Sequence, residues 1–147
     1  MKQLYFMRHG DYDEIGLNDW GKSDVNEAAE KLLTLLEGTS TLGLLSSSQI
    51  RAVETAQILR ERLSVKYEIF DMVCSDDLCD IFEEEKALSL IESRSNRDAC
   101  IVVSHQPDIK YLGMKILRKH GISGYSPELP TGGLYLIDLE KGIAEEM

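Results

Sequence analysis

The sequence has few cysteines, no long apolar run and little positive charge. Its three cysteines, Cys74, Cys79 and Cys100, are an odd number without a C-x-x-C spacing, so we expect neither a disulfide framework nor a zinc site. No apolar stretch approaches the ~18 residues that a membrane helix needs, and Met1-Lys2 leads directly into a strand-like segment with no signal peptide. We therefore expect a reduced, cytoplasmic protein that does not interact with membranes.

Acidic residues outnumber basic ones, 26 to 16, which gives a formal net charge of −10. A surface of this charge repels DNA, RNA and anionic lipids, and a nucleic-acid partner is therefore not expected. If the ligand is a phosphate, its site must be a local concentration of basic residues in a repulsive field.

Strand-like and helix-like segments alternate along the 147 residues, a pattern typical of one α/β domain covering 1–147. We expect a three-layer α/β/α sandwich with a mostly parallel central sheet. The apolar periodicity predicts strands at 4–7, 42–45, 67–70, 99–103 and 134–137, with a terminal edge strand after a turn at 140–142. It predicts helices through 25–36, from Ser48, over about 82–93, and from Pro107.

Polar residues follow three of these strands, at the point where each strand ends. R-H-G lies at 8–10, S-S-S lies at 46–48 shortly before Arg51, and S-H lies at 104–105. Because ligands of open α/β sheets bind beyond the carboxyl ends of the strands, we expect these groups to meet in one site.

The residue types at this site suit the binding and transfer of a phosphoryl group. Arginine binds phosphate oxygens through a planar fork of donors and keeps its charge at any physiological pH. Neutral histidine is a competent nucleophile, and its reference pKa of ~6.5 leaves much of it unprotonated in a cell. Helices beginning near Ser48 and Pro107 would add backbone N–H groups for an anion.

Four segments resemble the motifs of the histidine phosphatase superfamily, the phosphoglycerate mutase-like proteins. L-Y-F-M-R-H-G at 4–10 resembles the signature around the first histidine, and G-L-N-D-W-G at 16–21 resembles the L-T-x-x-G opening of the first helix, with Asn18 or Ser23 as possible caps. The segment 45–56 resembles the second-arginine region, and V-V-S-H at 102–105 resembles the strand with the second histidine. One such motif is weak; four in the family's order are a specific match.

The resemblance implies that His9 is the nucleophile that becomes phosphorylated, and that Arg8, Arg51 and His105 bind the phosphate oxygens. The short chain leaves no room for a large lid insertion and is similar to the compact SixA-type phosphohistidine phosphatases. The runs S-H-Q-P-D at 104–108 and P-T-G-G at 130–133 look like that branch, and Gln106 joins the expected substrate-binding residues. No metal and no cofactor is implied.

The general acid departs from the family pattern. Many relatives place a glutamate in an L-R-E context after the second-arginine segment, whereas this chain has Leu78-Cys79-Asp80 there. Asp80 is our candidate acid, and Asp77, Glu83 and Glu84 are rivals. A weak or absent acid would suit a phosphohistidine substrate, because a protonated imidazole leaves as a neutral molecule while an alkoxide needs a proton.

Other phosphatase classes do not match the sequence. A cysteine-based phosphatase needs an arginine six positions after its cysteine, and those positions hold Asp80, Glu85 and Gln106. The D-x-D at 11–13 does not directly follow a strand as haloacid dehalogenase-type phosphatases require. His120 ends a basic helical turn, and we interpret it as structural.

We therefore predict a metal-independent, monomeric phosphatase acting on protein phosphohistidine or on an exposed small phosphate ester. A phosphoglycerate mutase-like phosphoryl transfer and a non-catalytic phosphate-binding module are the alternatives. The mutase would need a closed site that excludes water.

Overall fold

The computed structural model describes residues 1–14, 16–79 and 84–147. A six-stranded sheet has the order β5-β4-β6-β1-β7-β8, and a separate two-stranded hairpin is formed by β2 and β3. In chain order the elements are β1 (Gln3–Arg8), β2 (Tyr12–Asp13), β3 (Gly16–Leu17), α1 (Asp19–Leu35), β4 (Thr41–Ser47), α2 (Ile50–Leu63), β5 (Glu68–Ser75), a 3₁₀ turn (Asp76–Leu78), α3 (Glu84–Glu92), β6 (Ala99–Ser104), α4 (Asp108–Lys119), β7 (Leu134–Asp138) and β8 (Ile143–Glu146).

The sheet is mostly parallel, as predicted. Strands β5, β4, β6 and β1 are parallel, while β7 pairs antiparallel with β1 and β8 pairs antiparallel with β7. The register aligns Arg8 with Ser104 and Ser46 with Val103. The ends of β1, β4 and β6 therefore lie side by side, which is where the polar motifs were expected to meet.

Helices cover both faces of the sheet, which confirms the three-layer prediction. Tyr5 and Met7 of β1 belong to the core beneath α1 and α2, while Leu4 and Phe6 belong to the core beneath α3 and α4. Successive side chains of a strand point to opposite faces, so a strand covered on both sides is a continuous apolar run. No large insertion interrupts this order of elements in the part of the chain that the structure describes.

Several element boundaries differ from the predicted ones. Asn18 caps α1 by accepting a hydrogen bond from the Gly21 backbone N–H at 2.8 Å, and Ser23 lies inside the helix. Helix α2 begins at Ile50, two residues after Ser48. Strand β5 runs through 68–75, so it includes part of the segment expected to be irregular. The expected helix start at 82 and 83 lies outside the described residues.

The hairpin of β2 and β3 was not predicted, because two-residue strands carry no periodicity. It packs against α1 and α2, beside the end of β1. None of the helices within the described ranges combines the length and the hydropathy needed to cross a membrane.

Candidate active site

The loop after β1 is held in place by three other parts of the chain. The backbone N–H of His9 donates to the Ser104 carbonyl at 3.2 Å, at the end of β6. The backbone N–H of Gly132 donates to the carbonyls of Arg8 and His9 at 3.1 and 3.0 Å. The Gly10 backbone N–H donates to the Thr55 hydroxyl of α2 at 3.1 Å. His9 is therefore fixed at the junction of the sheet, helix α2 and the loop at 130–133.

Two glycines allow this loop to approach the start of α1. A Cβ on Gly10 would lie 2.8 Å from the Gly21 carbonyl oxygen, and a Cβ on Gly21 would lie 2.0 Å from the Asp11 carbonyl oxygen. The glycine of R-H-G and the last glycine of G-L-N-D-W-G therefore face each other. The two motifs therefore form one contact through glycines that are eleven residues apart in the sequence.

The hydrogen bonds of His9 determine which nitrogen carries the proton. Its Nδ1 lies 2.9 Å from the Gly10 carbonyl oxygen, which can only accept, so Nδ1 is protonated and Nε2 presents a lone pair. Burial lowers the pKa of His9 below its usual value, and the charges of Arg51 and Arg8 lower it further, against the Gly10 hydrogen bond and Asp11. The ring is therefore neutral at pH 7, with Nε2 available as a nucleophile.

Arg51 lies directly against that nitrogen. Its Nε–H donates to His9 Nε2 at 3.2 Å. Its guanidinium carbon lies 4.4 Å from the centre of the Tyr12 ring. The Arg51 carbonyl accepts from the Thr55 hydroxyl at 2.8 Å, so the same threonine bonds to both the loop that carries His9 and the backbone of Arg51.

His105 follows β6 and completes a pair of buried imidazoles. Its ring centre lies 5.0 Å from that of His9. Its Nε2 is 2.6 Å from the Ser47 hydroxyl, and its buried Nδ1 has no hydrogen-bond partner among the described residues. Burial lowers the pKa of His105 to about 4, with the neighbouring His9, Arg51 and Arg8 also contributing. This ring is therefore neutral at pH 7 and can donate only one hydrogen bond.

Arg8 and Gln106 line an open pocket beside these residues, with a volume of about 690 Å3. Arg8 Nη1 donates to the Leu129 carbonyl at 2.9 Å. The buried Nε of Arg8 and both polar atoms of the Gln106 amide have no hydrogen-bond partner in the described part of the chain. Buried polar groups are normally paired, and unpaired ones beside an open pocket are available to a ligand. The other lining residues are Pro107, Glu128, Leu129 and Pro130.

The acid candidates that the structure describes, Asp77 and Glu84, do not lie together with His9, Arg51 and His105. Asp80 and Glu83 lie outside the described residues. Asp77 lines a different surface pocket, between the 3₁₀ turn and α3. Glu84 forms an ion pair with Lys115 at 3.0 Å. Asp77 and Glu84 therefore make their contacts away from His9.

A hydroxyl and thiol network extends from His105 towards the surface. The Ser47 hydroxyl also lies 2.8 Å from Cys79 Sγ, and Ser48 hydrogen-bonds to Asp76. The hydroxyl cluster at 46–48 was expected in the site, but the partners of Ser47 were not.

Tyr12 and Thr55 were missed by the sequence analysis. Thr55 lies inside the second-arginine segment, four residues after Arg51, and this one-turn spacing could have placed it below the arginine. Nothing in the sequence singled out Tyr12. His120 is the C-cap residue of α4 and is exposed. Asp11 and Asp13 accept hydrogen bonds from the Asn18 amide.

No metal-type cluster of three or more His, Cys, Asp or Glu side chains occurs among residues 1–14, 16–79 and 84–147. The positive charge at the site comes from the two arginines.

The chain shares its fold with solved histidine phosphatases. It superimposes on the protein histidine phosphatase SixA complexed with tungstate with a TM-score of 0.69 and 20% identity, covering 99% of this chain and 94% of that one. For the mycobacterial glucosyl-3-phosphoglycerate phosphatase complexed with VO3 the TM-score is 0.69 and the sequence identity 14%, and the match covers 99% of this chain and 97% of that one. For phosphoglycerate mutase from Plasmodium falciparum the TM-score is 0.63 and the sequence identity 18%, and the match covers 99% of this chain and 87% of that one.

The chain therefore has the phosphoglycerate mutase-like fold. This similarity confirms the fold that the four motifs implied. A scan against protein-family models and a search of curated proteins gave no match.

Proposed function

We propose that this protein is a phosphatase that works through a phosphorylated histidine, His9. The observation that carries the proposal is the arrangement around His9 Nε2. This nitrogen is unprotonated, it lies 3.2 Å from an arginine Nε–H, and a second imidazole lies beside it with a free Nδ1. A nucleophile surrounded by donors for phosphate oxygens suits in-line phosphoryl transfer.

In the first step, His9 Nε2 attacks phosphorus as the bond from phosphorus to the leaving group breaks. Arg51 moves its Nε–H from His9 to a phosphate oxygen, and Arg8 supplies a second guanidinium. His105 donates from Nδ1, with Ser47 donating its own hydroxyl proton to Nε2. In the second step, water attacks phosphorus, the P–N bond breaks, inorganic phosphate leaves and His9 is regenerated. The donors stabilise the charge that develops on the transferring oxygens in both steps.

We propose that the substrate is protein phosphohistidine or an exposed small phosphate ester, and that no metal is required. Two solved structures of this fold contain tungstate or VO3, oxyanions that resemble phosphate. The site is open beside Arg8, and Gln106 offers an unpaired amide to the group that carries the phosphate. Asp80 remains the proposed proton donor to leaving groups that need one. We further propose that the protein is cytoplasmic and that it acts as a monomer. Sedimentation tests the monomeric state.

The test is His9→Ala, assayed with p-nitrophenyl phosphate in the presence and absence of a chelator. We expect the substitution to abolish turnover and to remove the acid-labile phosphoenzyme seen after rapid quenching. His120→Ala, which removes an exposed histidine elsewhere, is the matched control and should retain activity. Retention of more than about a hundredth of activity by His9→Ala, a barrier change of under ~2.7 kcal/mol, would contradict a nucleophilic role.

The same assay distinguishes the alternatives. A mutase-like protein would pass the phosphoryl group from His9 to an added alcohol in preference to water. A phosphate-binding module would bind inorganic phosphate without turnover. A panel of phosphohistidine proteins, sugar phosphates and nucleotides, compared by kcat/KM, would then define the substrate.

A further inference from the structure

One exposed aromatic side chain, Tyr12, contacts two residues of the site. Its ring lies 4.4 Å from the Arg51 guanidinium carbon and 5.3 Å from the His9 ring centre. The His9 contact is edge-to-face, with the ring planes 73° apart. Building on the function proposed above, we propose that Tyr12 is a positioning residue that holds Arg51 against the nucleophilic nitrogen of His9.

The geometry suits this role because Tyr12 uses the face of the guanidinium. A cation stacked on an aromatic ring is attracted by the negative face of the ring, and this contact does not use any N–H donor. The donors lie along the edge of the guanidinium, and one of them, Nε–H, reaches His9 Nε2 at 3.2 Å. The ring therefore limits where the guanidinium can lie while leaving its edge for oxygen atoms.

The backbone that carries Tyr12 is itself held at both sides. The Asn18 side-chain amide donates to Asp11 Oδ2 at 3.0 Å and to Asp13 Oδ1 at 3.3 Å, on either side of Tyr12. On the opposite strand of the hairpin, the Leu17 N–H donates to Glu54 Oε1 at 3.3 Å. Glu54 belongs to α2, the helix that carries Arg51. The hairpin is thus fixed both to the N-cap residue of α1, Asn18, and to Glu54 of α2.

Loss of the ring should release Arg51. An arginine side chain is long and has many rotamers, so without a stacking partner its guanidinium would move into water for much of the time. The donor to His9 Nε2 would then be absent in the free protein. Binding of phosphate would also have to order the side chain, which weakens affinity.

The charged groups that face His9 determine in which direction its pKa should change when Arg51 moves away. Arg51 and Arg8 disfavour the protonated ring, Asp11 favours it, and the neighbouring His105 ring is neutral. Tyr12 itself carries no charge. Departure of Arg51 and entry of water both favour the imidazolium, so the pKa of His9 should rise when the ring of Tyr12 is removed.

The test compares Tyr12→Leu with Tyr12→Phe and Tyr12→Trp. We would measure the His9 titration by nitrogen-detected imidazole NMR in the free protein, the Kd of inorganic phosphate, and kcat/KM. Tyr12→Leu should raise the His9 pKa and weaken phosphate binding roughly three- to tenfold, as expected for loss of one cation–π contact. Tyr12→Phe and Tyr12→Trp should resemble the wild type, because the ring and not the hydroxyl makes the contacts.

Tyr125→Leu is the matched control, since it removes a tyrosine ring that is 72% exposed in the segment between α4 and β7. An unchanged His9 pKa and phosphate Kd in Tyr12→Leu would overturn the inference. So would a Tyr12→Phe variant that behaves like Tyr12→Leu. The titration and the Kd need no turnover, so they test Tyr12 even if the protein proves to hydrolyse nothing. Conversely, if His9→Ala loses turnover while Tyr12→Leu changes neither the His9 pKa nor the phosphate Kd, the proposed function stands and only the role of Tyr12 is overturned.

Discussion

At the scale of single residues, the site combines two neutral imidazoles with two permanent cations. Burial lowers the pKa values of both His9 and His105, and the charges of Arg51 and Arg8 lower them further. The arginines thus serve two purposes that do not conflict. In the proposed mechanism they attract a phosphate, and they keep His9 unprotonated until the phosphate arrives. An overall charge of −10 makes this local concentration of positive charge the preferred place for an anion.

Substitution of Arg51 tests the geometry of this arrangement. We expect Arg51→Ala to lower kcat/KM by ~10²- to 10³-fold, the typical effect of removing one donor to a developing oxyanion. Arg51→Lys should rescue little, because lysine has neither the planar face that stacks on Tyr12 nor an Nε–H placed beside His9. Arg60→Lys, at an exposed position of the same helix, is the control. Full rescue by lysine would show that only the charge of Arg51 matters.

Asp80 remains a prediction, and the leaving group tests it. If Asp80 donates a proton, Asp80→Asn should slow esters with poor leaving groups far more than p-nitrophenyl phosphate. Hydrolysis of phosphohistidine should change little, because the imidazole can carry its own proton. Equal losses in kcat/KM on all three substrates would contradict the assignment, and no loss on any would move attention to Asp77 or Glu83.

At the scale of elements, the contact between the loop after β1 and the start of α1 determines where His9 lies. Asn18 caps the helix and bonds to Asp11, while Gly10 and Gly21 permit the two backbones to touch. The glycines are required here because any side chain would meet backbone atoms, which cannot rotate away.

Gly21→Ala should therefore destabilise the protein, although alanine normally stabilises a helix interior by ~1 kcal/mol relative to glycine. The added methyl would lie 2.0 Å from the Asp11 carbonyl oxygen, and relief requires movement of the segment next to His9. We expect a loss of ~1 to 3 kcal/mol in the free energy of unfolding, with reduced kcat/KM. Ser23→Ala, at an exposed position of the same helix, should be neutral or slightly stabilising. A Gly21→Ala variant as stable as Ser23→Ala would show that the helix can shift without cost.

The long strands and helices were predicted well because the apolar patterns that predict them are the patterns that burial requires. Strands β1, β4 and β6 are covered on both faces, so they had to be continuous apolar runs. The hairpin was missed because pairs such as Tyr12–Leu17 are too short for periodicity. The site was predicted where residues follow a strand end, as His9 and His105 do. It was missed where the partner comes from tertiary packing, as for Tyr12 on Arg51. Ser47 and His105 were expected in the same site, but their direct hydrogen bond was not predicted.

At the scale of the whole molecule, the buried histidines link the stability of the fold to pH. In the unfolded chain each would take up a proton near pH 6.5, whereas in the folded protein both titrate at lower pH, His105 at about 4. The unfolded state then binds more protons between these values. Their contribution to stability is therefore fully present above about pH 6.5 and is lost as the pH falls towards 4.

We accordingly expect the free energy of unfolding to fall between pH 7 and pH 5, a window above the range in which most carboxylates titrate. His105→Asn should be less stable at pH 7, because its hydrogen bond with Ser47 is altered, but its stability should depend less steeply on pH. His120→Asn, which removes an exposed histidine outside the site, is the matched control for losing any one histidine. Urea unfolding at several pH values measures each slope. A slope for His105→Asn equal to that of the wild type would mean that His105 takes up its proton in the folded protein as readily as in the unfolded chain.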